Sequence, residues 1–173
     1  MKKKIRFTFI GGDNRQKQAI ILLAQDGFSI NVCGWNDILH ENVHSFQTPE
    51  AELLDCDVLM LPIPYGKPSG KIPVAGPEAD LELAALMRNM KPGTVIIYGK
   101  EDRNFSEISG RFPFSCYDIL KEESFSVRNA IPTAEGAIQR AMERTDITLH
   151  QANVLILGTD STKHSGKNLS YPS

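Results

Sequence analysis

Residues 4–33 read KIRFTFIGGDNRQKQAIILLAQDGFSINVC, and this stretch decides the fold. Lys4 to Ile10 mixes β-branched and aromatic residues and stops at Gly11-Gly12-Asp13, which predicts a strand followed by a turn. From about Asn14 to Gln25, the residues Ala19, Ile20, Leu22, Leu23 and Ala24 make one broad apolar face. Arg15, Lys17 and Gln18 lie opposite, the pattern of an amphipathic helix. Asp26-Gly27 ends that helix, because glycine accepts the left-handed conformation that follows one. Phe28 to Cys33 is a second strand. Strand, helix, strand is a βαβ unit, whose strands run parallel through a right-handed crossover.

The same alternation continues along the chain. Val58 to Pro62 is a short, continuous apolar run, which suits a strand covered on both faces. Tyr65 to Gly76 is rich in Gly, Pro and Lys and reads as a loop. Glu78 to Asn89 reads as a helix, Pro92-Gly93 as a turn and Thr94 to Tyr98 as a buried strand. A weak helix is expected over Glu101 to Ser109 and a last short strand over Phe114 to Tyr117. The pattern predicts a doubly wound, flavodoxin-like α/β domain with about five parallel strands over residues 1–128. Residues 129–150 read as a connecting segment with a long helix. Thr133 is its expected cap, and Glu135 lies in the first turn, where it favours the positive end of the helix dipole. Ala134, Ala137, Ile138, Ala141 and Met142 then form an apolar stripe. Asn153 to Leu157, ending at Gly158, reads as the first strand of a second βαβ unit over 151–158. Residues 159–173 are polar without periodicity, as a disordered end is.

Composition narrows the functional classes. The chain has 173 residues and a formal net charge of −2, too balanced for a broad phosphate-binding surface, so no nucleic acid is expected. No apolar run approaches the roughly 20 residues of a membrane span. Met1-Lys2-Lys3-Lys4 is followed by a run broken at Arg6 and Thr8, which reads as a strand rather than a signal segment. Cys33, Cys56 and Cys116 are odd in number and far apart, so neither a disulfide framework nor a zinc knuckle is indicated. A cytoplasmic protein is the expectation.

Several motifs invite chemistry. His40-Glu41-Asn42-Val43-His44 matches H-E-x-x-H, but that site needs both histidines on one face of a helix, and the flanks read as loop; no metal is expected. Gly66 to Ile72 hints at a phosphate loop but is one residue short, lacks the hydroxyl after Lys71, and loses an N–H at Pro68. Lys67 and Lys71 suit a small dianion at the carboxyl end of a strand, where ligands of open α/β sheets bind. Gly11-Gly12-Asp13-Asn14-Arg15 lies at the same edge. There the helix N-terminus offers N–H groups to an anion, and Arg15 offers a planar fork for a carboxylate. Leu155-Ile156-Leu157-Gly158 opens like a dinucleotide fingerprint, yet Asp160 and Lys163 stand where glycines are needed. Gly158 is therefore a vestige of a cofactor turn, and this chain is not expected to hold NAD.

The turn Ile10-Gly11-Gly12-Asp13-Asn14-Arg15-Gln16 and the stretch from Asn129 to Ile138, NAIPTAEGAI, resemble the family of the dipicolinate synthase A subunit. So do Glu143 to His150, ERTDITLH, and the strand that ends at Gly158. The resemblance covers about residues 4–158. It implies an amino-terminal, substrate-side domain of a two-domain, dehydrogenase-like protein whose second domain carries NAD or NADP. With a second subunit, the B subunit of dipicolinate synthase, such a protein oxidises a dihydrodipicolinate-type intermediate to pyridine-2,6-dicarboxylate in the mother cell of a spore former. The resemblance places Gly12, Asp13, Arg15, Thr133 and Glu135 on the substrate side, and leaves the catalytic acid or base unassigned. His150 is as well explained as a surface or hinge residue. Departure from the family after Gly158 implies a truncated, catalytically incomplete form. The alternative expectation is a non-catalytic binding or assembly module that pairs with a partner subunit or with itself.

Overall fold

The computed structural model describes residues 5–48, 50–67, 69–74 and 80–155. Along the chain, β1 (Arg6–Ile10), α1 (Asn14–Gln25), β2 (Ser29–Cys33) and β3 (Val43–Phe46) lead to the short helix α2 (Ala51–Leu54). Strands β4 (Val58–Met60), β5 (Lys71–Pro73) and β6 (Asp80–Glu82) follow, then α3 (Leu83–Asn89), β7 (Val95–Tyr98), α4 (Arg103–Ser109) and β8 (Ser115–Asp118). The last helix is α5 (Glu123–Arg144). The chain divides into two compact units, Met1–Arg128 and Asn129–Ser173.

The first unit is built on a six-stranded sheet in the order β3-β2-β1-β4-β7-β8, and each neighbouring pair is parallel. The five strands expected from the sequence stand in the order β2-β1-β4-β7-β8, the flavodoxin-like arrangement. Strand β3 adds one more beyond β2. It falls where the sequence reads as loop, because its His44 and Ser45 are exposed and an edge strand need not be apolar.

Successive strand residues point to opposite faces, and the core divides accordingly. Phe9, Ile30 and Val32 pack with Ile20 and Ala24 of α1. Ile10, Cys33, Leu59 and Ile96 pack with Leu53 of α2, Leu83 and Met87 of α3 and Phe105 of α4. Buried polar groups tie α2 to the sheet: Thr8 Oγ1 donates to Leu53 O at 2.7 Å and Asn31 Nδ2 to Glu52 O at 3.1 Å.

Four expectations are corrected. Within Tyr65 to Gly76, residues Lys71–Pro73 are strand, paired antiparallel with Asp80–Glu82 through Ile72 and Leu81. Ile72 is fully buried, which anchors a hairpin whose other strand residues, apart from Leu81, are Pro and charged. The helix expected from Glu78 begins at Leu83, since residues 80–82 belong to that hairpin; residues 75–79 lie outside the described residues. The long helix begins at Glu123, ten residues before Thr133, so Thr133 is not its cap and Glu135 is not in its first turn. Pro132 lies inside it. Proline removes one helical N–H without ending the helix, which runs through a stretch that reads as a turn; next to it Thr133 Oγ1 donates back to Asn129 O at 2.7 Å. The strand expected from Asn153 does not form over residues 153–155. Val154 and Leu155 are exposed, and no neighbouring strand pairs with them among the described residues. Residues 156–173, with Gly158 and the expected polar end, lie outside the described residues.

The backbone is most constrained at Gly11, where φ is +60° and an added Cβ would stand 2.2 Å from Pro73 O. Gly11→Ala should lower the unfolding free energy by about 2–4 kcal/mol, the range of severe strain and overpacking. Gly136 in α5 has nothing near its missing Cβ, and Gly136→Ala should be neutral or stabilising by up to about 1 kcal/mol. Urea unfolding of the two variants measures the contrast; equal effects would contradict it.

Candidate functional site at the carboxyl edge of the sheet

Strand β1 is followed by a connection toward β2 on one side, and its other neighbour is β4. Order reverses between these strands, so the loops leaving them diverge and open a crevice at their carboxyl ends. A cleft of about 320 Å³ lies there, lined by Gly12, Asp13, Pro62, Ile63, Pro73 and Val74. Gly12 and Asp13 come from the β1–α1 turn, Pro62 and Ile63 from the loop after β4, and Pro73 and Val74 from the end of β5.

Glycines allow these three segments to converge. Gly11 passes beneath Pro73 O, and at Gly66 a Cβ would stand 2.4 Å from Lys71 O, which closes the loop that delivers β5. At Gly99, directly after β7, a Cβ would stand 2.7 Å from Ile63 Cγ2. The Ile63–Pro64 bond is cis. Tyr65 anchors the far side of that loop: its N–H donates to Gly99 O at 3.0 Å and its hydroxyl to Asp102 Oδ1 at 2.8 Å. Burial, and then the Asp102 carboxylate, push the Tyr65 phenol well above its ordinary range, so it acts as a neutral donor.

Asp13 is the N-cap of α1. Its carboxylate accepts the Arg15 N–H at 2.9 Å, and its own N–H donates to Gln16 Oε1 at 2.9 Å, a reciprocal capping box. The Arg15 side chain turns back onto the same carboxylate, with Nε at 3.1 Å and Nη2 at 2.8 Å. Nη2 also donates to Ile63 O at 2.9 Å. Arg15 thus bridges two walls of the cleft. Its guanidinium hydrogen bonds hold the Asp13 carboxyl below the usual range, and Asp13 raises Arg15 in turn. Both side chains are about half exposed, so the pair is worth at most roughly 1 kcal/mol.

The remaining expected residues are placed differently. Lys67 is paired with Asp80 at 2.7 Å across the hairpin, while Lys71 is exposed on β5. Thr133 and Glu135 lie on α5 in the second unit, both exposed. His150 is exposed in a turn. Of the H-E-x-x-H match, His44 is exposed on β3, and His40 Nδ1 accepts the Asn42 N–H. A strand and a turn do not present two histidines on one helical face, and no metal-holding group of His, Cys, Asp and Glu occurs among the described residues. Burial raises the thiols of Cys33, Cys56 and Cys116. The β1–α1 turn does not fit a dinucleotide, because the Asp13 carboxylate already occupies the α1 N-terminus where a pyrophosphate must approach. Lys100, missed in the sequence, follows Gly99 at the same edge with a φ of 65°. A lysine after a glycine at a strand's carboxyl end was the available signal. No helix among the described residues is long and apolar enough to cross a membrane.

Asp13→Asn should keep the cap, since Asn caps as well as Asp, and lose the ion pair. The carboxyl is lowered on folding, so its contribution is complete above roughly pH 4 and fades as pH falls through the lowered value. The stability gap between wild type and Asp13→Asn should therefore be at most about 1 kcal/mol at pH 7 and close toward pH 2. Urea unfolding across that range tests this; a gap that widens on acidification would contradict it.

The family model described as the N-terminal domain of the dipicolinate synthase A subunit matches residues 6–120. The A subunit of dipicolinate synthase from Bacillus subtilis (strain 168) is 23% identical over 161 residues, which covers 91% of this chain and 54% of that protein. The crystal structure of the dipicolinate synthase A subunit from Bacillus halodurans superposes with a TM-score of 0.72 at 23% identity, over 83% of this chain and 50% of that one. The crystal structure of the corresponding Bacillus subtilis protein gives a TM-score of 0.68 at 21% identity, over 86% and 51%. These likenesses share the fold, and the chain spans about half the length of the relatives it matches. A parallel sheet with a cleft at its order reversal, and a family match across the whole of that sheet, lead to one conclusion: the chain belongs to the family of the dipicolinate synthase A-subunit N-terminal domain.

Proposed function

We propose that this chain is the substrate-side part of a dipicolinate synthase of the A-subunit type, and that its cleft holds a small dicarboxylate. The observation that carries the reading is the position of the cleft, at the carboxyl ends of β1 and β4 with Arg15 on its rim. Ligands of open α/β sheets bind at that point. The guanidinium fork matches a carboxylate. In the structure Asp13 holds that fork, and because an exposed pair is weak, a ligand carboxylate can exchange with it at little cost. Gly12 gives the ligand access to the turn without a side chain in the way. For Thr133 and Glu135 the role rests on the resemblance alone.

Oxidation of the substrate calls for NAD or NADP, which in this reading is supplied by the family's second domain rather than by the β1–α1 turn. The B subunit of dipicolinate synthase is the proposed partner, and sporulation in the mother cell the setting. Both follow from the family relationship.

A second reading, an assembly module, is favoured by one observation. Ile131, Ile138 and Met142 on α5 are 63%, 55% and 62% exposed, an apolar stripe with the spacing of one helix face. On that reading the chain self-associates or co-elutes with the B subunit in size-exclusion chromatography. A monomer in both runs would contradict it.

Titration calorimetry with pyridine-2,6-dicarboxylate tests the leading reading. Wild type should bind, and Arg15→Ala should bind about tenfold or more weakly, the loss of one charge-assisted contact. No heat with wild type would overturn the substrate-site reading, and equal affinity for Arg15→Ala would remove Arg15 from it.

A further inference from the structure

We propose that Lys100 is a carboxylate-binding residue of this cleft, a second cation for the dicarboxylate; the proposal rests on the substrate-site reading. Lys100 follows Gly99, and Gly99 lies directly against Ile63, a wall of the cleft. Tyr65 N–H to Gly99 O at 3.0 Å fixes the end of β7 to the loop after β4. Lys100 therefore directly follows a residue that packs against the cleft wall, at the carboxyl edge of the strand next to β4.

Its backbone is the second observation. At a φ of 65° Lys100 is in the left-handed region, where glycine or asparagine is easier to place than lysine. The conformation is held from outside. Asp118 accepts the Lys100 N–H at 3.2 Å, the Glu101 N–H at 2.9 Å and the Leu120 N–H at 3.0 Å. A long cationic side chain at a strained position, with the Lys100 and Glu101 N–H groups both held by one carboxylate, points to a role for that side chain.

Charge is the third. The cations around this edge are mostly neutralised: Arg15 by Asp13, Lys67 by Asp80, Lys121 by Glu101 and Arg103 by Glu107. Lys71 and Lys100 are exposed, and neither side-chain ammonium is in a salt bridge among the described residues. Of these two, Lys100 is the one whose backbone is strained. A dianion with one carboxylate on the Arg15 fork needs a second cation, and Lys100 supplies a compact point charge with three donors.

The test uses the full chain and pyridine-2,6-dicarboxylate in titration calorimetry. Lys100→Gly removes the ammonium and relieves the left-handed strain, so it should melt at or above the wild-type temperature and bind about tenfold or more weakly. Lys100→Arg should bind close to wild type. Lys100→Asn, which also tolerates the conformation, repeats the Gly experiment should that variant fold poorly. Added salt should weaken wild-type binding more steeply than that of Lys100→Gly, which a purely structural role does not predict. Wild-type affinity in Lys100→Gly or Lys100→Asn, or equal losses in the Arg and Gly variants, overturns the role of Lys100 and leaves the substrate-site reading standing. No binding by wild type overturns both.

Discussion

Two backbones meet at Gly11, and the site exists because they can. A Cβ there would stand 2.2 Å from Pro73 O, so any other residue would lift the β5–β6 hairpin off the end of β1. The same device recurs at Gly66 against Lys71 O and at Gly99 against Ile63. Three glycines thus draw three loops together over the point where strand order reverses. The cleft is what remains between them, walled by Gly12, Asp13, Ile63 and Pro73. Packing below supplies the rigidity. Ile10 and Ile72 are fully buried in one cluster, which joins the last residue of β1 to the middle of β5.

Electrostatics at this edge are local rather than broad. Net charge is −2, and most cations near the cleft are held by carboxylates. The N-terminus of α1 attracts an anion, and the chain provides its own in Asp13. On the proposed reading, that arrangement disfavours a phosphate chain and suits a small acid that exchanges for one weakly held side chain. Arg15 braces the walls through Ile63 O and holds the Asp13 carboxylate, and on the proposed reading its fork would exchange that carboxylate for the ligand's.

The sheet was legible where strands are buried on both faces. Runs such as Val-Leu-Met at 58–60 and Val-Ile-Ile-Tyr at 95–98 carry the signal plainly. β3 was not, because Val43-His44-Ser45-Phe46 is an edge strand with half its residues in solvent. Nor was the β5–β6 hairpin, where a single buried residue on each strand at most, Ile72 against Leu81, sets the register amid Lys, Pro, Asp and Glu. Pro132 misplaced the start of α5, since a proline costs a helix one hydrogen bond but does not forbid it. At the site, the Gly-Gly-Asp turn and Arg15 at the start of the helix after it were visible in the residues. The contact of Arg15 with Ile63 was not, because 48 positions separate them and only the β1–β4 pairing brings them together.

The central claim is that the crevice between the β1–α1 turn and the loop after β4 is where a small dicarboxylate binds. Amide chemical-shift mapping of the full chain during titration with pyridine-2,6-dicarboxylate tests this most directly. The account predicts saturable shifts at Gly12, Asp13, Ile63 and Val74, with β3 and the carboxyl end of α1 unmoved. Shifts confined to those distant elements, or none at millimolar ligand, would contradict it.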